Sequence, residues 1–592
     1  MVEKGESNDL KRLESTITTS SQSSNDIQDT RIPQTRWRKI MSVLEVEPLG
    51  DKTMAEMFLF NKDLKPVEAE RRVWSWYNFI FFWIAESFNV NTWQIASTGV
   101  VLGLAWWQVW ISVWLGYFIA GCFITISSRV GSCYHISFPV ACRSSFGIYG
   151  SVWPVINRVV MACVWYAVQN WIFGQCMQIT LMSIFGTDLD TRIPNLIPSS
   201  GTTSFQFLGY FLTWLISLPF IWFPPHQIRH LFTVKAYIVP VAGVGFLLWT
   251  VLKADGIGPV IHAKATLTGS AFGWAFVSST MNSLANFATL IVNSPDFSRF
   301  ADTKIAPIYS QLVAVPVCFS LTSLIGILVS SASASMYGET YWSPLDVLAR
   351  FLDNYSSGNR AGVFFISVAF GLAQLGTNIS ANSLSAGTDM TALMPRFITI
   401  RRGGYVCAAI SICICPWNLM ESSNKFTTYL SAYAIFLSAI AGVVAADYYF
   451  IRRGYIVLEE LYSGDSDAAY TFNRIGCNWR AYAGYISGIL PNIVGFVGNV
   501  GTPVPIGATY VYNVNFFVGF IVSYVVYSGL SLWVPMKGIP QEIQSAPFKK
   551  AWLEEYADVE DFNERMQVRF RSRIKAAEAN RPGLGLSRTY TF

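Results

Sequence analysis

Apolar runs of about twenty residues, separated by short polar stretches, recur from residue 75 to residue 535 of this chain. The runs 105–127 and 426–446 hold no charged residue. At 1.5 Å per residue, a run of that length reaches across a hydrocarbon core of roughly 30 Å. The pattern predicts an all-α integral membrane fold with about twelve spanning helices. Their expected starts lie near residues 75, 105, 151, 206, 231, 271, 308, 361, 403, 426, 481 and 512. Ahead of them, 1–35 is polar, Ser/Thr-rich between 15 and 25, and reads as a disordered tail. The segment 36–74 mixes charge with short apolar patches and reads as an ordered cap on the first loops, and 536–592 reads as a charged second tail. No apolar segment of signal-peptide type precedes residue 75, so the first span is expected to act as its own insertion signal.

The connections alternate in charge. Arg129 and Arg143 follow the second span, Arg229 and Lys235 the fourth, Arg396, Arg401 and Arg402 the eighth, and Arg452 and Arg453 the tenth. The short connections between them are nearly bare, with none over 100–104, Lys425 alone before the tenth span, and none over 498–510. Longer connections carrying Lys253, Lys264, Arg350 and Arg360 weigh less in this count. The bias places both tails in the cytoplasm.

Composition narrows the function classes. Apolar residues make up 52% of the chain and charged ones 13%, against a soluble mean of about 25% charged. The net charge of +5 is diffuse and gives nucleic acid no surface. The ten cysteines lie mostly in or beside apolar runs, without a CxxC pair, and read as small core residues. The histidines are scattered, and His226 and His230, four apart after Pro224-Pro225, suit a loop surface better than a metal. No metal site and no cofactor is expected.

Polar residues inside the spans are where function is sought, since each is costly in a bilayer. The first span carries Glu86, Ser87, Asn89, Asn91, Thr92 and Gln94 in its middle, and the sixth carries Asn282, Ser283, Asn286, Thr289, Asn293 and Ser294 before Pro295-Asp296. Non-helical backbone at membrane depth survives only where protein buries it or it lines a cavity. Two interrupted segments five spans apart point to an inverted-repeat transporter with a site at the midplane. In the third span Trp165 and Gln169 stand four apart, on one helix face; in the eighth Asn378 and Asn382 have the same spacing, with Thr377 alongside and Asp389 two turns on. An indole and primary amides together can hold a flat heterocycle, by stacking and by paired donor and acceptor contacts. Taken singly, each of these residues also fits plain helix packing.

Longer motifs carry a resemblance. The stretch Asn61-Lys-Asp-Leu-Lys-Pro-Val-Glu-Ala-Glu-Arg-Arg-Val-Trp-Ser-Trp-Tyr-Asn78 resembles the entry to the fungal uracil/allantoin/uridine permeases of the nucleobase–cation symporter-1 family. So do Trp106-Trp107-Gln108, Ser137-Phe138-Pro139, Trp153-Pro154-Val155-Ile156-Asn157-Arg158, the run from Val292 to Phe300, and that from Gly376 to Ser383. The likeness runs from about residue 62 to about 535, nearly the whole apolar region. It implies a leucine-transporter-type fold, two inverted five-helix repeats with two further helices, and proton-coupled import at the plasma membrane. By position, Trp165 would stack on the substrate ring, Gln169 would bond it, and Asn382 would close the opposite edge, with Asn286 and Phe287 at the break of the sixth span. Phe287 stands where bacterial hydantoin carriers have a second Trp. Sodium-dependent members use adjacent hydroxyls in the eighth span, and here that pair reads Gly376-Thr377, leaving Thr377 as a residual cation ligand. Glu86 offers a proton site instead, and Asp389 assists near the cytoplasmic exit or serves only as a helix-end charge.

Other classes fit less well. A channel needs like groups repeated along a whole pore, and no span shows them. A membrane enzyme needs clustered nucleophile and base residues in the bilayer, and none is seen, so no enzymatic activity is expected. A sensor that binds without transporting stays open. The substrate implied is uracil first, then allantoin or uridine. The Ser-rich tail with Lys4 and Lys11 resembles sites where ubiquitin-ligase machinery acts on fungal relatives.

Overall fold

The computed structural model describes residues 45–46, 54–61, 63–223, 225–256, 261–262, 264–539, 552, 562 and 566. Lys4, Lys11 and the Ser-rich tail lie outside them, as does nearly all of the second tail. The side chains of Arg229, His226 and His230 are likewise outside the described set. The chain divides into Met1–Gly50, of which only Glu45 and Val46 are described, and Asp51–Phe592.

The second unit is helical throughout its described residues, with one isolated bridge, Trp74 to Ala301. The principal helices are α1 (Trp76–Ser87), α2 (Val90–Val101), α3 (Trp106–Tyr134), α4 (Phe138–Phe146), α5 (Val152–Phe185), α6 (Ser204–Trp222), α7 (Pro225–Lys253), α8 (Gly269–Asn286), α9 (Ala288–Val292), α10 (Ser294–Ser298), α11 (Ala306–Tyr337), α12 (Pro344–Arg350), α13 (Ser357–Thr377), α14 (Leu384–Leu393), α15 (Ile400–Cys413), α16 (Ser423–Ala445), α17 (Trp479–Asn499) and α18 (Asn515–Trp533). A helix starts near each expected position. Eight described helices are long and apolar enough to cross a membrane. The expected spans outside that set are the interrupted α1–α2 and α8–α10, the polar α5 with Arg158, Gln169 and Asn170, and the short α15. Each of the four departs from the length or hydropathy of an ordinary span for a reason of its own.

Apolar packing among the described residues forms one large cluster, a smaller second one and two minor ones. The smaller joins α5, α6, α13, α14 and α15 through Tyr166, Ile221, Leu375, Ile379, Met390 and Cys407. α5 belongs to both, since Trp165, Val168 and Trp171 on its other face enter the large cluster. The helices come very close in places. Gly326 of α11 lies against Trp93 of α2, where an added Cβ would stand 2.6 Å from the Trp93 backbone. The Gly326 carbonyl also accepts a bond from Ser97 Oγ at 2.9 Å.

One end of the bundle is capped by residues 54–72. Arg143 of α4, expected as a loop charge, is instead buried and donates to the carbonyls of Phe58, Leu59 and Leu461 at 3.1, 2.9 and 3.0 Å. Tyr462 donates to Leu64 O at 2.8 Å, and Val67 N to His135 O at 2.9 Å. Burial lowers the His135 pKa to about 4, against the opposing pull of its bond to the Arg299 carbonyl, so the ring is neutral.

Gly326→Ala should destabilise the protein, because backbone atoms of Trp93 must move to admit the methyl group. Overpacking of this kind costs about 1–3 kcal/mol, read as a lower melting temperature of the purified protein. A melting temperature equal to that of the parent chain would show room that the structure does not have.

Candidate functional site

The interruptions of α1–α2 and α8–α9 define the site, and each is satisfied by side chains from neighbours. At the first, Ser87 O accepts from Asn89 N at 2.9 Å and from Thr322 Oγ1 of α11 at 3.2 Å. The Asn89 side chain in turn caps α2 by accepting from Asn91 N at 2.8 Å. At the second, the Ala285 carbonyl accepts from Tyr433 of α16 at 2.7 Å, and Phe287 links α8 to α9. The freed backbone groups thus find the partners that a lipid interior would not provide.

Between the breaks, α5 and a π-helical turn at Asn378–Ser383 lies a cavity. It has about 50 Å³ of room for the centres of water molecules. By that measure about 10–15 Å³ holds one water, so the space takes several. Trp165 and Gln169 line it from α5, one turn apart as their spacing predicts. Trp165 is flanked by Tyr429 and Tyr433, with ring centroids 6.1 and 6.2 Å away. The Gln169 amide oxygen is buried without a partner. Facing residues come from the second break. Phe287 is fully buried and meets Phe319 edge-on at 4.7 Å and Trp83 at 5.7 Å. Asn286 accepts from Asn91 Nδ2 at 3.4 Å, which leaves the Asn91 oxygen unpartnered.

The asparagine pair differs from expectation. Asn382 lines the cavity, but Asn378 does not: its Nδ2 donates to Tyr166 O at 3.2 Å, while its Oδ1 accepts from Asn382 Nδ2 at 3.1 Å. The two amides still meet at their i, i+4 spacing, but the bond to the Tyr166 carbonyl turns Asn378 towards α5. Asn378 therefore supports Asn382 from behind the wall.

The charges also fall elsewhere than expected. Lys235 is not a loop residue. α7 begins earlier than the hydropathy suggests, and Lys235 is fully buried, donating through Nζ to Thr377 Oγ1 at 2.6 Å. The hydroxyl expected as a residual cation ligand is thus occupied by an ammonium group. Glu86 lines the cavity and accepts from Ser380 Oγ at 2.7 Å, within electrostatic range of Lys235. Asp389 does not reach the cavity and is no exposed helix-end charge. It is fully buried 3.9 Å from Arg158 Nη1, and Arg158 itself lines the cavity. Arg158, Lys235 and Asn91 were not among the expected site residues, although a charge inside an apolar run is the signal that marks the first two. Among the described residues no group of His, Cys, Asp or Glu could hold a metal ion.

A family model described as permease for cytosine/purines, uracil, thiamine and allantoin matches residues 66–519. The uridine permease of Saccharomyces cerevisiae is 52% identical over 514 residues, covering 86% of this chain and 80% of that one. The allantoin permease of the same organism is 50% identical over 576 residues, 95% and 90% of the two chains, and its uracil permease 52% over 539, 89% and 84%. Among solved structures, Mhp1, a nucleobase-cation-symport-1 family transporter in a closed conformation with bromovinylhydantoin bound, has a TM-score of 0.65. The match covers 84% of this chain and 100% of that one at 21% identity, a likeness of fold. These relatives are membrane transporters, not enzymes.

Gln169→Ala and Asn382→Ala should each raise the apparent KM for uptake more than Asn378→Ala does. Removing a cavity-facing amide leaves a ligand group unpaired at about 1–3 kcal/mol, whereas loss of Asn378 only loosens Asn382. Kinetics measured at matched surface expression separate the cases, and an equal effect from Asn378→Ala would put that amide in contact with the ligand.

Proposed function

The chain belongs to the family of permeases for cytosine/purines, uracil, thiamine and allantoin, and from that premise we propose that it imports a small nucleobase-type heterocycle by proton symport through alternating access. The substrate read here is uracil, with allantoin and then uridine as the alternatives. Identities of 52%, 50% and 52% to the three permeases do not rank these ligands, so the choice rests on the site. The observation that carries the reading is the Gln169 amide, buried one turn from Trp165, with its oxygen unpartnered in the cavity wall that Asn382 shares. A planar ring stacked on the indole would give its N–H to that oxygen and its carbonyl edge to an amide nitrogen. The small cavity favours a bare ring over one that carries a ribose.

Coupling follows from the charges. Lys235 brings a tethered cation to Thr377, the place where sodium-dependent relatives would need hydroxyl ligands for an ion. A free Na⁺ has neither the room nor the electrostatic need to enter beside it. Glu86, hydrogen-bonded to Ser380 in the cavity wall, is then the proton carrier. In this reading the membrane domain spans the plasma membrane twelve times as two inverted five-helix repeats with two further helices, and both tails are cytoplasmic. Lys4 and Lys11 of the first tail are the acceptor sites through which ubiquitin-ligase machinery would withdraw the carrier from the surface.

Uptake of labelled uracil should exceed that of allantoin and uridine in a competition panel, persist when choline replaces Na⁺, and fall as external pH rises. Glu86→Gln, a mimic of the protonated acid, should still bind and exchange substrate but lose accumulation against a gradient. Concentrative uptake by Glu86→Gln would remove Glu86 from the coupling, and sodium dependence would remove Lys235 as the built-in cation.

A further inference from the structure

Directly below the ring site, the cavity floor is set by Arg158 of α5. Its guanidinium lies between two direct partners on different elements, with Asp296 of α10 also within electrostatic range. One is Asn293, at the junction of α9 and α10 in the interrupted helix. The satisfying orientation of the Asn293 amide sends its nitrogen to Thr289 O at 2.8 Å and its oxygen to Ser385 Oγ at 3.0 Å and to Arg158 Nη2. The other is Asp389 of α14, whose carboxylate is 3.9 Å from Nη1, an ion pair beyond hydrogen-bond reach.

The arrangement leaves an imbalance. Both oxygens of Asp389 and the Nε of Arg158 are buried without a hydrogen bond, while Asn293 is fully satisfied. A buried carboxylate with no donor is expensive, and a guanidinium presents donors in a fork that matches a carboxylate bidentately. A short swing of Arg158 away from Asn293 would satisfy both Asp389 oxygens and release α9–α10 from α5. Two discrete arrangements, each satisfying what the other leaves open, make a bistable contact rather than a graded one.

We propose that Arg158 gates the floor of the cavity by exchanging partners, bonded to Asn293 when the floor is closed and forked onto Asp389 when it opens. The proposal rests on the alternating-access part of the preceding reading, with the floor on the cytoplasmic side. Asn293 ties the interrupted helix to α5 and α14 in the closed arrangement, so breaking that tie frees the interrupted helix from both. Arg158, Asn293 and Asp389 are thus positioning residues. They govern which side of the site is open and make no contact with the ring.

The test reads accessibility, which needs no substrate. Leu290 lines the cavity above Asn293, and Leu290→Cys provides a thiol there. It is labelled with a membrane-impermeant thiol reagent applied to inside-out vesicles, with the chain lacking Leu290→Cys as the background. Asn293→Ala, added to this reporter, removes the closed-state partner and should raise the labelling rate about tenfold, the scale of one charge-assisted hydrogen bond. Asp389→Asn removes the charge that draws Arg158 open and should lower the rate by a similar factor. A residue with a purely structural role would move both variants in the same direction, through looser packing. Shifts in one direction, or no shift in either variant, would overturn the exchange. Should Asn293→Ala fail to fold, Asn293→Asp gives Arg158 a charged closed-state partner and must slow labelling, and faster labelling would likewise overturn the proposal. Failure of the uracil panel leaves this result untouched, so the two readings fail separately.

Discussion

Backbone amides and carbonyls left unpaired inside a bilayer have no water to turn to, and the site exists because this constraint is met at two breaks. Ser87 O and Ala285 O lose their regular helical partners at the breaks, and beside the short-range bonds from Asn89 N and Phe287 N, Thr322 and Tyr433 supply further donors. Both donors come from helices packed alongside, so neither break is stable without the bundle around it. The opened turns then project Asn89, Asn91, Asn286 and Phe287 into one space. A continuous helix would have spread such residues around its circumference. The polar character of the cavity is thus a by-product of the repair of two broken helices.

Charge inside the same region is handled by a related economy. Lys235 meets a hydroxyl, Glu86 a hydroxyl, and Arg158 an amide and a carboxylate, each on another helix. Buried ions cost several kcal/mol each unless paired and bonded, and in a membrane they are kept where a pathway needs them. The partners here are weakly basic or incompletely bonded groups, which hold a charge without trapping it. By contrast, the Asp447–Arg452 pair at the end of α16 is closed, with both carboxylate oxygens bonded at 3.1 and 2.9 Å and Tyr527 added at 2.6 Å.

What the sequence reveals follows from how local each feature is. The breaks are legible because clustered polar residues interrupt an apolar run, and Trp165 and Gln169 are legible because helical periodicity alone puts them on one face. Asn378 is not, because the Tyr166 carbonyl that turns it towards α5 leaves no mark in spacing. Lys235 is misread for a different reason. Counted with the basic residues of the connection after the fourth span, it stands inside α7, where Thr377 of a neighbouring helix gives it a buried partner. Arg158 hides in the same way as Asp389, since each looks isolated until α5 and α14 are placed side by side. Local pattern thus gives elements and faces, whereas partners of buried charges come only from the tertiary arrangement.

The position of α5 explains how binding and motion share one place. One face of this helix packs in the small apolar cluster and the other in the large one, and Trp165, Gln169 and Arg158 stand along the line where the two meet. Apolar packing within each cluster is dense and costly to disturb. Across the line, the contacts are amides, hydroxyls and a guanidinium, groups that can change partners for little net cost because each partner is itself polar. Trp165 on α5 and Phe287 at the break line the cavity from the same large cluster, and α5 joins that wall to the small cluster through its opposite face.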